Sequence, residues 1–410
     1  MDKGQSVVTA RQRRGAVSLL LAMVLLGVFP LDVLLPSFPA LAAHFRNTPT
    51  DIALSISLFA VGIAFAQVSI GPLSDVIGRK GLLLAGMIVS ILGALGCVMT
   101  SDYSLFLMFR IVQAVGCGCF VLSQALVQDL FEGKERDRLR ILMVTASGVF
   151  ISVSPLAGTF LQATLGWRGS FWVFIALATV VFIKAWLLLD NRRPASSSER
   201  LGFIPSYRRV LGSFEFVGYW LISAFAFACH FSFIVISPLI FMDQLQLAPY
   251  DFALILLIYG AAYIVGGIIA SVLNRRITPG RQIIIGLSLI LLSGLLTLYL
   301  AAHHALTPIA VLIPMLMCTA GTTISRPAAT SRAMSLFPDN AGTSASAGST
   351  IIFICAGLIS ALISLSPANL QSTLGYSFVL LSCVALALNG GISRRARNPQ
   401  TNAIVQPGSD

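Results

Sequence analysis

The sequence predicts an all-α membrane protein with twelve transmembrane helices in two halves of six. Three observations support this prediction. Of the 410 residues, 56% are hydrophobic and only 10% are charged, whereas about 25% of the residues in an average soluble domain are charged. Apolar runs of about 20 residues, long enough to cross a bilayer as a helix, recur along the chain. One long polar stretch, residues 190–213, separates six such runs from six others.

The predicted spans follow these apolar runs in order. They lie at residues 16–38, 51–70, 81–100, 104–128, 141–165, 169–189, 214–241, 250–273, 282–302, 306–325, 341–365 and 373–391. The domain prediction is an N-terminus (1–15), a first six-helix bundle (16–189), a linker (190–213), a second six-helix bundle (214–391) and a tail (392–410). Span 1 does not fit a secretory signal peptide, because its apolar run is too long and many spans follow it.

Basic residues in the short loops predict the orientation. Lys and Arg occur in the N-terminus, the linker, the tail and the loops after spans 2, 4 and 8, whereas the opposite loops contain only Arg46 and Arg168. By the positive-inside rule, both termini are cytoplasmic. The net charge of +11 is therefore a topology signal, and we expect no nucleic-acid partner. We expect a multi-pass monomer in a bacterial inner membrane, with the lipid bilayer as its surroundings.

The loop between spans 2 and 3 is the most specific motif. It reads Gly71-Pro-Leu-Ser-Asp75-Val-Ile-Gly78-Arg79-Lys80 and predicts a tight, charged turn between antiparallel helices; an ordinary basic loop is the alternative. It resembles the Gly-x-x-x-Asp-x-x-Gly-Arg-Lys loop of the major facilitator superfamily, which matches at Gly71, Asp75, Gly78, Arg79 and Lys80. The resemblance covers essentially the whole chain. It implies a transporter rather than an enzyme.

Asp32 is the candidate proton-coupling acid. It lies inside span 1 between two prolines, where a carboxylate costs about 2.5–3.5 kcal/mol on insertion scales. It either pairs with a neighbouring helix for structural reasons or takes up protons and contacts substrate. The segment Asp32-Val-Leu-Leu-Pro36-Ser-Phe-Pro39 resembles the Asp-x-x-x-Pro-x-x-Pro segment of drug:proton antiporters in the bicyclomycin and chloramphenicol resistance branch. Some relatives carry a second acid where this chain has Val24, so neutral or anionic substrates become more plausible than cationic ones.

Arg110 is the complementary candidate in span 4. Arg110-Ile-Val-Gln113-Ala-Val-Gly116 resembles the family's Arg-x-x-Gln-Gly-x-Gly, with Ala114 at the first glycine. The resemblance implies a role in proton transfer. A buried guanidinium pairs with a carboxylate or faces a cavity, and we therefore expect an interaction between Arg110 and Asp32. A purely structural ion pair is the alternative.

Span 5 contains Pro155 and Gly158, residue types that bend a helix and permit close helix contact. They resemble the Gly-Pro-x-x-Gly-Gly motif of exporters, from which Ser154 and Thr159 depart.

Span 7 has many aromatic residues around His230. They either face lipid and neighbouring helices or line an apolar cavity of the kind that promiscuous sites use. His230 either titrates or packs. The candidate substrate-binding residues are Gln113, Phe227, His230, Phe231, Tyr259 and Tyr263. Arg326 and Arg332 are expected near the inner end of span 10, as interface anchors or as part of an inner vestibule.

Together, these features predict proton-coupled efflux of small amphipathic compounds such as drugs. The chain has no Gly-x-x-x-x-Gly-Lys-Ser/Thr loop, so the proton gradient rather than ATP is the expected energy source. No His/Cys grouping indicates a metal site, and no cofactor is expected. The alternatives are a dedicated exporter of one endogenous metabolite such as a siderophore, a proton-linked importer, and a membrane scaffold that transports nothing.

Overall fold

A computed structural model describes residues 10–131, 133–189, 203–337, 341–366 and 369–397. Within these ranges the secondary structure is helical, and twelve helical stretches are long and apolar enough to span a membrane, as predicted. The α-helices are α1 (Ala10–Asp32), α2 (Phe38–Phe45), α3 (Pro49–Ile77), α4 (Arg79–Met99), α5 (Tyr103–Cys117), α6 (Leu122–Leu130), α7 (Gly133–Leu165), α8 (Arg168–Leu188), α9 (Phe203–Leu211), α10 (Phe214–Pro238), α11 (Pro249–Asn274), α12 (Pro279–His303), α13 (Pro308–Ser335), α14 (Ala341–Ser364) and α15 (Leu370–Arg397).

Spans 1 and 4 are interrupted helices. In span 1, α1 ends at Asp32, a 3-10 turn covers Leu35–Ser37, and α2 continues the span to Phe45. The interruption has a local cause, because a proline within a helix lacks the N–H donor and clashes with the preceding turn. In span 4, a 3-10 turn at Gly118–Val121 separates α5 from α6. The prediction of one continuous helix over residues 16–38 for span 1 was therefore wrong, because the helix is interrupted after Asp32 and the span ends at Phe45.

The turn between spans 2 and 3 is shorter than predicted. Helix α3 extends through most of the motif to Ile77, and α4 begins at Arg79, so Gly78 alone separates the helices. Gly78 has φ 98° and ψ 150°, a conformation that glycine adopts without a Cβ clash. A single residue of this kind can end one helix and start the next, which leaves the polar part of the motif free to remain helical.

Two other polar stretches are also helical. The basic stretch 134–140, expected as a loop, forms the first two turns of α7, since Lys, Arg, Glu and Leu are good helix formers. Within the predicted linker, α9 packs on α10 and α14, and the Tyr207 hydroxyl donates to Ser346 Oγ at 3.0 Å. Linker residues 190–202, the first nine residues and the tail beyond 397 lie outside the described residues.

Contacts divide the chain into two compact units. One comprises residues 1–200 and 241–264, and the other comprises 201–240 and 265–410. A reciprocal glycine contact occurs inside each unit. Where α5 meets α4, a Cβ on Gly116 would lie 2.6 Å from the Gly86 carbonyl oxygen. Where α12 meets α13, a Cβ on Gly286 would lie 2.6 Å from the Gly321 carbonyl oxygen. Both pairs bring helix backbones together, as small residues do between membrane helices.

The outer surface of the described helices is apolar. Large side chains such as Phe65, Met99 and Leu187 are 67%, 82% and 75% exposed. Exposed apolar area on this scale marks a surface that is covered by another apolar phase, in agreement with a multi-pass membrane protein.

Candidate functional site

The candidate site of the first unit is built around the break in span 1. Asp32 is the last residue of α1 and is only 8% exposed. Within the described residues its carboxylate has no hydrogen-bond or ion-pair partner. Interrupted helices are how many transporters expose polar groups at membrane depth. The break therefore coincides with a buried acid that has no partner among the described residues.

Arg110 is fully buried on α5 and is held by three kinds of contact. Its Nη1 donates to Gln113 Oε1 at 2.8 Å, one turn further along the same helix. Its Nη2 donates to the Pro30 carbonyl oxygen at 3.2 Å. Pro30 is in the last turn of α1, where carbonyls lack partners within the helix. The Phe59 ring centroid lies 4.1 Å from Arg110 Cζ, in the range of cation–π contacts.

The predicted ion pair between Arg110 and Asp32 does not form. Both residues are described, and among the described residues no carboxylate, including that of Asp32, lies within 4.0 Å of the guanidinium. Arg110 binds instead to the backbone that immediately precedes Asp32. The contact that connects Arg110 to this part of span 1 is the hydrogen bond to the Pro30 carbonyl oxygen, two residues before Asp32.

A small cavity lies beside Arg110. Its volume of about 10 Å³ is close to the least space that one water needs. Its walls include Pro30, Arg110, Gln113, Ser170 and Phe171. Arg110 Nε and Ser170 Oγ are buried and have no hydrogen-bond partners among the described residues. Ser170 was not among the residues predicted from the sequence, because a single serine near the start of a span carries no distinguishing signal.

The span 5 motif packs against the break. Gly158 faces the backbone of Val33, the residue after Asp32, so closely that a Cβ there would lie 3.0 Å from the Val33 carbonyl carbon and nearer still to its oxygen. Pro155 is buried inside α7, which continues through it as a helix. The structure thus brings three sequence candidates, Asp32, Arg110 and Gly158, to one region of the first unit.

The loop motif lies elsewhere in the same unit. Lys80 Nζ donates to the Trp186 carbonyl oxygen at 2.8 Å and lies 5.6 Å from that indole. Trp186 is in the last turn of α8, where unpaired carbonyls attract cations. Gly71 and Gly78 flank the last turns of α3, and Arg79 is half-buried at the start of α4. The side chain of Asp75 lies outside the described residues.

We expect Lys80→Met to lower the thermal stability of the protein. The substitution removes a cation from the α8 C-terminus, an interaction of about 0.3–1 kcal/mol. Thermal unfolding of the purified protein in detergent measures this loss of stability as a reduced Tm. The Lys80→Arg variant keeps the charge and should retain most of the wild-type stability. An unchanged Tm for Lys80→Met would show that the contact does not stabilise the fold.

Three other substrate candidates occur together in the second unit. Phe227 stacks on Phe231, with ring centroids 5.7 Å apart, and lies 6.1 Å from the ring of His230. His230 is buried. The guanidinium of Arg326, on α13, lies 4.4 Å from the centroid of Phe227. These aromatic rings pack on a cation and on each other.

The remaining candidates are divided by their surroundings. Gln113 is the buried partner of Arg110. Tyr259 is buried, whereas Tyr263 is half-buried beside Gly148 in the first unit. Within the described residues no group of three or more His, Cys, Asp or Glu side chains is arranged to hold a metal ion.

Comparisons with known proteins agree with this architecture. The profile of the Major Facilitator Superfamily matches residues 19–361. Multidrug resistance protein MdtL of Citrobacter koseri is 24% identical over 326 residues, which is 79% of this chain and 82% of that protein. The MdtL protein of Salmonella heidelberg is 24% identical over 328 residues, again 79% and 82%. The Uncharacterized MFS-type transporter YdgK of Bacillus subtilis is 27% identical over 270 residues, or 64% and 66%.

The matched region extends from span 1 into span 11, and so includes the break at Asp32, the span 5 motif and the aromatic cluster of span 7. The family consists of membrane transporters and not of enzymes. This chain belongs to the Major Facilitator Superfamily.

Proposed function

We propose that this transporter exports small amphipathic compounds in exchange for protons across a bacterial inner membrane. The observation that carries the proposal is Asp32, a lone buried acid at the break in span 1. A carboxylate in such a place is costly in its ionised form unless it finds a partner. A carboxylate that gains a proton from one side and loses it when water reaches it from the other can couple proton entry to transport.

In this mechanism Arg110 positions the end of α1 and biases the protonation of Asp32. The hydrogen bond from its Nη2 to the Pro30 carbonyl oxygen supports this role, as does its full burial, which weakens the screening of its charge by water. The cavity beside Arg110 offers a position for a water that assists proton movement. The contact of Gly158 with the Val33 backbone lets span 5 follow any movement of the break.

The proposed cycle is alternating access, in which one half rocks against the other. Asp75, Arg79 and Lys80 would stabilise one end of that cycle, and the contact between Lys80 and Trp186 supports a role in fixing span 3 to span 6. Both termini would be cytoplasmic, and the bundles would cover 16–189 and 214–391. The direction of transport is supported by the name of the MdtL relatives, multidrug resistance protein, and by the span 5 motif.

Proton flux provides the direct test. Purified protein is placed in inverted vesicles with an imposed pH gradient, and neutral, cationic and anionic compounds are added singly. We expect several chemically unrelated compounds to dissipate the gradient. A response to one compound class would indicate a dedicated exporter, such as one for a siderophore. Silence across the panel would contradict antiport and favour uptake or a role without transport.

A further inference from the structure

The second unit has a half-buried cation, Arg326, that has no carboxylate partner among the described residues. In spans 7–12 the acids are Glu215, Asp243 and Asp251, and each lies within three residues of the end of its span. The middle of these spans therefore contains no carboxylate, although it does contain Arg326. A charged side chain at membrane depth pairs with another group or faces a water-filled path.

Arg326 lies nearer to the midpoint of α13 than to either end of the helix. Helix α13 has 28 residues, so at 1.5 Å per residue Arg326 lies about 7 Å from its midpoint. The hydrocarbon core extends about 15 Å to either side of its centre. Of the two positions expected for Arg326, an interface anchor or part of an inner vestibule, this place along the helix favours the vestibule.

The side chain of Arg326 lies on the face of α13 that packs against α10. Thr322 Oγ1, one turn before it, donates to the Ala226 carbonyl oxygen at 3.0 Å. The hydroxyl of Thr330, one turn after it, lies 3.2 Å from that of Ser223. Residues four apart on a helix share a face, and these two contacts fix Arg326 between them, beside α10 rather than lipid.

The guanidinium rests on an aromatic surface. It lies over the ring of Phe227 at 4.4 Å, and Phe227 in turn contacts Phe231 and Phe353, at centroid distances of 5.7 and 5.9 Å. Arg326 is half-buried, and within the described residues no protein acceptor binds its N–H groups. The ring contact thus holds the guanidinium in place, while its N–H donors remain free to bind a ligand. The planar arrangement of these donors suits a carboxylate.

We propose that Arg326, Phe227, Phe231 and Phe353 form a substrate site that binds the anionic group of an aromatic carboxylate. The guanidinium binds the carboxylate, and the phenylalanine rings contact the apolar part of the molecule. This inference rests on the proposed transport function and assigns its substrates to the amphipathic organic anions. The four residues of the site all belong to the second unit.

Equilibrium binding to the purified full-length protein in detergent, measured by isothermal titration calorimetry, tests this assignment. The probes are matched pairs of similar shape, namely 2-naphthoate, indole-3-acetate and 4-phenylbutyrate, each with its uncharged carboxamide. Wild-type protein should bind the carboxylates about tenfold or more tightly than the amides, since a hydrogen bond to a charged group is stronger than a neutral one. Arg326→Gln should remove this preference, and Arg326→Lys should keep part of it.

Arg332→Gln is the matched control, because Arg332 is an exposed cation near the end of the same helix. It should retain the preference for carboxylates, and circular dichroism and gel filtration should show that all variants are folded. Equal binding of acids and amides by wild-type protein, unchanged carboxylate binding by folded Arg326→Gln, or no binding of any probe would each overturn the proposal. Intact carboxylate binding without proton flux would contradict the proposed antiport alone.

Discussion

Asp32→Asn is expected to reduce pH-driven transport to the background of protein-free vesicles and to leave the protein folded in the membrane. Asparagine has nearly the same shape as the neutral acid but neither binds nor releases a proton. Because Asp32 has no ion-pair or hydrogen-bond partner in the described structure, the substitution leaves no charged group unpaired. Proton flux in vesicles, with gel filtration and thermal unfolding of the same preparation, measures both parts of this expectation.

Asp102→Asn is the matched control for that experiment. This variant replaces an aspartate by an asparagine, as Asp32→Asn does, but at the start of α5. There the Asp102 side chain accepts a hydrogen bond from the Leu105 N–H at 2.9 Å. Asparagine caps helices about as well as aspartate, so both folding and transport should persist. If Asp32→Asn transported like wild-type protein, Asp32 would have no part in the coupling mechanism.

Gly158→Ala is expected to destabilise the protein, although alanine is the better helix former by about 1 kcal/mol. The added Cβ would overlap the Val33 backbone at the break in span 1. Backbone cannot rotate away as a side chain can, so spans 1 and 5 must separate. Overpacking of this kind typically costs about 1–3 kcal/mol, and it should appear as a lower Tm and a smaller folded yield.

The control for this prediction is Gly267→Ala. Gly267 is an exposed helical glycine of α11 with no atom within 4 Å of its added Cβ, so only the gain in helix propensity remains. The two variants should therefore shift the Tm in opposite directions. A Gly158→Ala protein as stable as the Gly267→Ala protein would show that the close contact between spans 1 and 5 contributes nothing to stability.

Both predictions depend on a feature that the sequence revealed only in part. The prolines around Asp32 were visible, and prolines in a helix are a known cause of interruption, yet the apolar run was assigned to one continuous helix. The run continues beyond its predicted end because Phe38–Phe45 is itself a helix. Hydropathy locates a span but does not distinguish a straight helix from two shorter segments.

The sequence by itself determined the class of the protein, the number of spans and the family motifs. These follow from composition and from spacing along the chain, since a run of about 20 apolar residues has few stable alternatives to a transmembrane helix. The contact between Arg110 and Gln113 could also be predicted from the sequence, because residues three apart are neighbours on a helix.

Only the tertiary structure decided which groups meet across helices. Arg110 contacts the Pro30 carbonyl and the Phe59 ring rather than the Asp32 carboxylate, and Arg326 lies over the Phe227 ring. Such pairs depend on the rotation and height of each helix. In a membrane both lipid and neighbouring helices are apolar, so the pattern of apolar residues encodes rotation weakly. Close glycine contacts and a few hydrogen bonds set it instead, and these exist only once the helices are packed.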